Sequence, residues 1–128
     1  MVEQARDRPL RVMLCDDALG FPALVASWLD GSRDAEHVGT TASATELLEV
    51  LADCGPDVVL LDLMLPEGRT TAELVQRVRD LAPRSRVILI SSLPAAMLAD
   101  EVGRLGADGS CPKATTPQRL LDVVTGRA

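Results

Sequence analysis

The stretch Asp57-Val58-Val59-Leu60-Leu61-Asp62 decides the fold. Its apolar run is unbroken, with no polar residue alternating into it, which suits a strand buried on both faces. Sheets covered on both faces are parallel, and parallel strands need crossovers, usually helices. A second such strand reads from Arg86-Val87-Ile88-Leu89-Ile90. Between the two, Leu74, Val75, Val78 and Leu81 recur at helical spacing, with Pro83 just beyond. The spacing predicts a crossover helix with those four residues facing inward.

The same alternation continues in both directions. Toward the amino end, residues 10–15 (Leu-Arg-Val-Met-Leu-Cys) read as a strand, and Phe21, Leu24, Val25, Trp28 and Leu29 as an amphipathic helix. A weak strand is expected around His37 to Thr40. Ser43 and Glu46 form a capping box for a helix carrying Leu47, Leu48, Val50 and Leu51, which Gly55-Pro56 ends. Toward the carboxyl end, Met97, Leu98, Val102 and Leu105 mark a fourth helix with Gly106 as its cap. A short strand from Asp108 to Cys111 follows, and Thr116-Pro117 starts a helix through Leu120, Leu121, Val123 and Val124. Five strand–helix units imply an α/β fold with helices on both faces of a parallel sheet. Right-handed crossovers give a doubly wound, flavodoxin-like (βα)5 three-layer sandwich of strand order 2-1-3-4-5. Pro112 fits this order, because the fifth strand is an edge. The expected organisation is a tail over residues 1–9 and one domain over 10–126, with no second domain in this chain.

Composition narrows the function. The chain has 128 residues, 47% of them apolar and 25% charged, as in an ordinary globular domain. Phe21 and Trp28 are the only aromatics, so the core is aliphatic and no base-stacking platform is available. The net charge of -6 opposes contact with a phosphate backbone, so this domain is not expected to touch nucleic acid directly. No apolar run approaches the roughly 20 residues that span a bilayer. Residues 1–9 are charged and lack the apolar stretch of a signal peptide. The expectation is a cytoplasmic protein without membrane contact. Cys15, Cys54 and Cys111 are odd in number and scattered, which argues against a disulfide framework and for reduced thiols, with Cys15 and Cys111 in the core. A lone His37 without His or Cys neighbours is structural rather than a metal ligand.

In this fold ligands bind at the carboxyl ends of the strands. Asp16 and Asp17 end the first strand, Asp62 the third and Ser91 the fourth, and Lys113 follows the fifth. A lone Asp at a strand end is usually a helix cap or turn residue. The constellation, in this chain order, is far more specific than any member. Carboxylates packed together repel, and a cation normally neutralises them; all-oxygen ligands point to Mg²⁺. Lys113 supplies a point charge for a phosphoryl oxygen and Ser91 a hydroxyl. Together they describe a carboxylate that attacks phosphorus while metal and lysine neutralise developing charge.

Four segments carry a family resemblance: Val12-Met13-Leu14-Cys15-Asp16-Asp17, Val58-Val59-Leu60-Leu61-Asp62-Leu63-Met64-Leu65-Pro66, Val87-Ile88-Leu89-Ile90-Ser91-Ser92 and Gly106-Ala107-Asp108-Gly109-Ser110-Cys111-Pro112-Lys113. Over about residues 10–126 the chain resembles the receiver domains of bacterial two-component response regulators. The Gly-Ala-Asp-Gly segment and Lys113-Ala114-Thr115-Thr116-Pro117 look most like the NarL/LuxR-type subfamily, whose receivers usually precede a DNA-binding helix-turn-helix domain. The resemblance implies that Asp62 is the phosphoacceptor. It implies Mg²⁺ held by Asp17 directly, Asp16 through water, Asp62 and the backbone carbonyl of Met64. Lys113 would pair with the phosphoryl group and Ser91 would turn inward to it. The donor would be a sensor histidine kinase or a small molecule such as acetyl phosphate. The product is a switched protein–protein interface controlling an attached or partner DNA-binding output, with a homodimer as one assembly. The protein is then a signalling phosphoacceptor rather than an enzyme.

Four features depart from the family pattern. Ser110 stands where the fifth strand usually carries a switch aromatic. Arg69 and Thr70 replace an Asp or Asn and a Gly in the loop after Pro66, so that loop is expected to be reshaped. Ala114 follows Lys113 where a cis-bonded Pro is frequent, and a cis bond before a non-proline costs about 3 kcal/mol. Met64 and Leu93, two residues beyond Asp62 and Ser91, are apolar and cannot orient water, so slow autodephosphorylation is expected. Ser110 and the altered loop allow an alternative, an interaction module regulated without phosphate. An aspartate-nucleophile phosphatase is disfavoured because Asp16 and Asp17 are adjacent, not one residue apart. A flavin phosphate would be repelled by the same pair.

Overall fold

The computed structural model describes residues 8–127, and most of the tail expected over residues 1–9 lies outside them. Five strands form one parallel sheet: β1 (Leu10–Cys15), β2 (Ala35–Thr41), β3 (Val58–Asp62), β6 (Arg86–Ser91) and β7 (Gly109–Pro112). Two short strands, β4 (Met64–Leu65) and β5 (Gly68–Arg69), make a separate antiparallel hairpin. The sheet order is β2-β1-β3-β6-β7, which is 2-1-3-4-5 once the hairpin is set aside. Helices α1 (Gly20–Asp30), α2 (Ala44–Cys54), α3 (Ala72–Leu81), α4 (Ala95–Leu105) and α5 (Pro117–Thr125) complete the flavodoxin-like sandwich. Among the described residues, no helix is long and apolar enough to cross a membrane.

Side-chain alternation sorts the strand residues into two cores. Met13, Cys15, Val59, Leu61, Val87 and Leu89 face α2, α3 and α4, where Leu47, Leu51, Val75, Val78, Leu98 and Leu105 meet them. Val12, Leu14, Val58, Leu60, Ile88 and Ile90 face α1 and α5, against Phe21, Val25, Leu29, Leu120 and Val124. Val59, Leu60, Leu61, Ile88, Leu89 and Ile90 are fully buried. Each such side chain contributes about 1.5–3 kcal/mol, which makes β3 and β6 the fixed platform for whatever sits at their ends.

Several local expectations need correction. Leu24, Leu81 and Met97 are exposed rather than core, at 51%, 37% and 54%. Each lies about a quarter-turn from the centre of its helix's buried stripe. Asp57 and Asp108 precede their strands rather than start them. Asp57 accepts a hydrogen bond from the Arg11 backbone N–H at 2.8 Å, and Asp108 one from Val87 N–H at 2.7 Å. The weak strand is longer than expected, running from Ala35 to Thr41. At α2, Ser43 accepts from Glu46 N–H as a capping box requires, but the Glu46 carboxylate receives the N–H of Ala42, not that of Ser43. No peptide bond among the described residues is cis, so the one after Lys113 is trans. Cys15 and Cys111 are buried and free; burial pushes the Cys15 thiol up to about 11 and that of Cys111 in the same direction. His37 bonds to Thr40 through Nε2 at 2.7 Å.

The loop after Pro66 is pinned at a distance. Glu67, in the tight turn between β4 and β5, reaches the amino end of α2. Its carboxylate accepts from Thr45 N–H, Ala44 N–H and the Thr45 hydroxyl, each at 3.0 Å. These donors hold the carboxyl at about 2, well under the ordinary 4.5. The helix dipole adds to the attraction. A depressed folded value means that this stability is present above the ordinary range and is lost as pH falls toward 2. Glu67→Gln is therefore expected to melt below wild type near neutral pH, with the two curves converging in acid. A difference that persists unchanged down to pH 2 refutes the ionic cap.

Candidate functional site

The carboxyl ends of β1, β3, β6 and β7 deliver their polar residues to one place. Asp16, Asp17 and Asp62 each present a carboxylate oxygen, and these atoms all lie within 4.8 Å of one another. Asp16 is buried, Asp62 is 5% exposed and Asp17 is exposed. The turn after β1 fixes Asp16, whose Oδ1 accepts from the Ala18 N–H at 2.9 Å. Asp62 Oδ1 accepts from Met64 N–H at 3.1 Å, and its backbone carbonyl from the Thr70 hydroxyl at 2.7 Å. Thr70 thus ties the end of the hairpin back to the strand it leaves.

Lys113 faces this cluster. Its Nζ lies 2.9 Å from Asp62 Oδ2 and 2.9 Å from Asp16 Oδ2. Lys113 N–H donates to the Ser91 carbonyl at 2.8 Å, so β6 sets where the lysine leaves the sheet. Burial alone lowers its affinity for a proton, but the carboxylates of Asp16 and Asp62 beside its ammonium outweigh that and raise it. Asp62 is also raised: burial disfavours its charge more than Lys113 and the Met64 N–H relieve it, and Asp16 pushes the same way. Asp16 Oδ2 is buried and has no aligned hydrogen-bond donor; the ammonium is near it in charge but not in hydrogen-bond geometry. A buried carboxylate oxygen in that condition is unusual and suits a cation ligand.

Ser91 is 6% exposed, and its hydroxyl oxygen accepts from Leu93 N–H at 3.1 Å. Asp17, Asp62, Met64, Arg69, Ser91, Leu93 and Lys113 line a cleft of about 440 Å³. Ser110 lies elsewhere, opposite Leu89 in the register, and lines a smaller pocket with Ala95, Pro112 and Arg119.

Three contributors were not visible as site residues in the sequence. Phe21 holds its ring 5.6 Å from Lys113 Nζ and packs edge-on against Trp28 at 6.5 Å between centroids. A lysine over an aromatic face gains about 0.5–2 kcal/mol. Thr70 and Arg69 were noticed only as departures in the loop. A hydroxyl directly following a strand-end motif is the signal that would have marked Thr70; nothing local marks the partner of Arg69.

Residues 12–125 match the response regulator receiver domain family. Among curated proteins the chain is similar to a protein-glutamate methylesterase/protein-glutamine glutaminase of Nocardioides sp., 30% identical over 101 residues, covering 79% of this chain and 27% of that protein. The signal receiver domain of the putative response regulator NarL from Mycobacterium tuberculosis is similar at 29% identity and a TM-score of 0.77, covering 94% of this chain and 99% of that one. A structure of the P1 domain of CheA3 in complex with CheY6 from R. sphaeroides contains a chain similar at 25% identity and a TM-score of 0.75, covering 93% and 98%. LuxR-family response regulators share the fold at lower identity. The chain spans between 27% and 52% of the length of curated relatives that it matches.

Proposed function

The chain belongs to the response regulator receiver domain family, and from that premise we propose that it accepts one phosphoryl group on Asp62 and thereby switches a protein–protein interface. One observation carries the reading. Three carboxylates crowd within 4.8 Å at the ends of β1 and β3, and Lys113 touches two of them. That arrangement is costly as a purely structural one and suited to phosphoryl chemistry.

An Asp62 carboxylate oxygen attacks phosphorus as the bond from phosphorus to the donor breaks. With a phosphohistidine donor the imidazole leaves; with acetyl phosphate, acetate leaves. The product is an acyl phosphate on Asp62. Lys113 neutralises charge on the transferring oxygens, and Ser91, whose oxygen now only accepts from Leu93 N–H, turns its hydroxyl toward them. The carboxylates fit Mg²⁺, which Asp17, Asp62 and the Met64 carbonyl would hold directly and Asp16 through water; when bound it would supply positive charge against the carboxylate and phosphoryl group together.

The donor is a sensor histidine kinase, a reading supported by the CheA3 P1 and CheY6 pair. Such a kinase meets its receiver in the cytoplasm. The likeness to the NarL receiver supports a DNA-binding output attached to the chain or reached through a partner, and a homodimer is one active form of this reading.

Incubation of the chain with acetyl phosphate should add the mass of one phosphoryl group when Mg²⁺ is present and none with the metal chelated. No gain, with acetyl phosphate and a panel of kinases both tried, moves the reading to a module regulated without phosphate. Once formed, the phosphoaspartate should hydrolyse slowly, because the cleft presents Met64 and Leu93 where a polar side chain would orient water. A lifetime of seconds in the purified chain with Mg²⁺ overturns that point.

A further inference from the structure

Arg69 stands where the sequence offered no reason for a cation. It pairs with Met64 across the β4–β5 hairpin and lines the same cleft as Asp62, Ser91 and Lys113. Its guanidinium nevertheless points out of that cleft's charge cluster. Arg69 Nη2 lies 2.9 Å from Oε2 of Glu101 on α4. The Glu101 side chain is only 13% exposed, whereas that of Arg69 is 49% exposed and free to swing. Glu101 has a second cation: Arg104, one turn along α4, holds the other oxygen Oε1 at 2.8 Å through Nη2 and at 3.1 Å through Nε. Glu101 therefore keeps a partner if Arg69 leaves.

We propose that Arg69 is a second phosphoryl-binding cation, which exchanges Glu101 for the phosphoryl oxygens when Asp62 is phosphorylated and so uncouples the β4–β5 hairpin from α4. The inference rests on the reading that Asp62 is the phosphoacceptor. A phosphoryl group brings about −1.5 to −2 charges and three acceptor oxygens. A guanidinium matches those oxygens in a fork that a carboxylate already shared with Arg104 cannot outcompete. Glu67 keeps the hairpin pinned to α2 throughout, so the side chain and α4 move while the hairpin stays. The exchange also supplies a route from the cleft to α4 that does not pass through β7, where Ser110 has no ring to move.

The two ends of the bridge predict opposite effects. Loss of a charge-assisted hydrogen bond costs about 1.5–3 kcal/mol, so Arg69→Gln should bind beryllium fluoride with Mg²⁺ about ten- to a hundredfold more weakly than wild type. Glu101→Gln, which does not line the cleft, should bind it more tightly, because Arg69 is released in advance; coupling of this kind is reciprocal. Arg104→Gln leaves Glu101 to Arg69 alone and should weaken binding, though by less than Arg69→Gln does. Amide exchange over residues 95–105 should rise on beryllium fluoride binding in wild type, be raised beforehand in Glu101→Gln, and respond little in Arg69→Gln. Arg69→Lys should recover part of the affinity, which separates lost charge from a damaged hairpin. Wild-type affinity in Arg69→Gln, or no tightening in Glu101→Gln, overturns the exchange while leaving Asp62 as phosphoacceptor. A wild-type chain that takes neither beryllium fluoride nor a phosphoryl group overturns both.

Discussion

Asp62→Asn should abolish phosphoryl uptake from acetyl phosphate, with the wild-type mass gain absent from the variant. An amide oxygen at that position is a far weaker nucleophile, and the neighbouring carboxylates do not occupy its place. Asp16 is fixed by Ala18 N–H and lies under the lysine, and Asp17 is exposed at the rim. The same substitution should stabilise the fold when Mg²⁺ is absent. Three carboxylates meet one ammonium, and burial raises Asp62, so its ionised form is disfavoured in the folded chain. A raised carboxyl lowers folded stability as pH climbs past its folded value. Removing the charge removes that penalty, and Asp62→Asn should melt above wild type in chelator. Mg²⁺ should narrow the gap, because it stabilises the wild-type cluster by preferential binding to the folded state. A variant that still gains a phosphoryl group places the acceptor elsewhere. A variant that melts below wild type in chelator shows that Asp62 is held by its partners more strongly than its neighbours repel it.

How far the sequence carried this site depends on whether each interaction is periodic or distant. The two apolar runs of β3 and β6 declared a doubly covered parallel sheet because every residue in them is buried. Once that sheet was placed, Asp16, Asp62, Ser91 and Lys113 had to converge, since all follow strands at the same end. The helices were legible as stripes but not at their edges, where Leu24, Leu81 and Met97 turn out to solvent. The β4–β5 hairpin had no signature, because two-residue strands are too short to show a period. Glu67 capping α2 from more than 20 residues away, and Arg69 on the hairpin meeting Glu101 on α4, join residues that no local pattern links. The strand aspartates misled in the opposite sense. Asp57 and Asp108 look like parts of their strands, and they serve instead to receive backbone N–H groups where the strands begin.

Replacement of Lys113 by methionine, close in length and without charge, should have the second largest effect. Phosphoryl uptake should slow by about 10²–10³, the usual consequence of deleting one preorganised donor to a developing oxyanion. The fold should also suffer. Lys113 Nζ is 2.9 Å from both Asp16 and Asp62, with its side chain 17% exposed, so its loss leaves two buried carboxylates without their cation. Stranding a fully buried charge costs about 3–5 kcal/mol. Partial solvent access and protonation of one carboxylate reduce that to about 1–3 kcal/mol, or several degrees of melting temperature. The proton affinity of Lys113 is raised in the folded chain, so the stability it supplies is present below the ordinary lysine value of 10.5 and lost as pH rises past it. On the proposed ligand set, Mg²⁺ and the ammonium would draw on the same two carboxylates, Asp62 directly and Asp16 through water. Lys113→Met should therefore bind Mg²⁺ more tightly than wild type and regain most of its lost stability when the metal is added. Equal Mg²⁺ affinity in the two proteins means that the lysine and the metal do not share ligands. In that case the carboxylate cluster is neutralised by Lys113 alone, and the metal acts from the Asp17 side of the cleft.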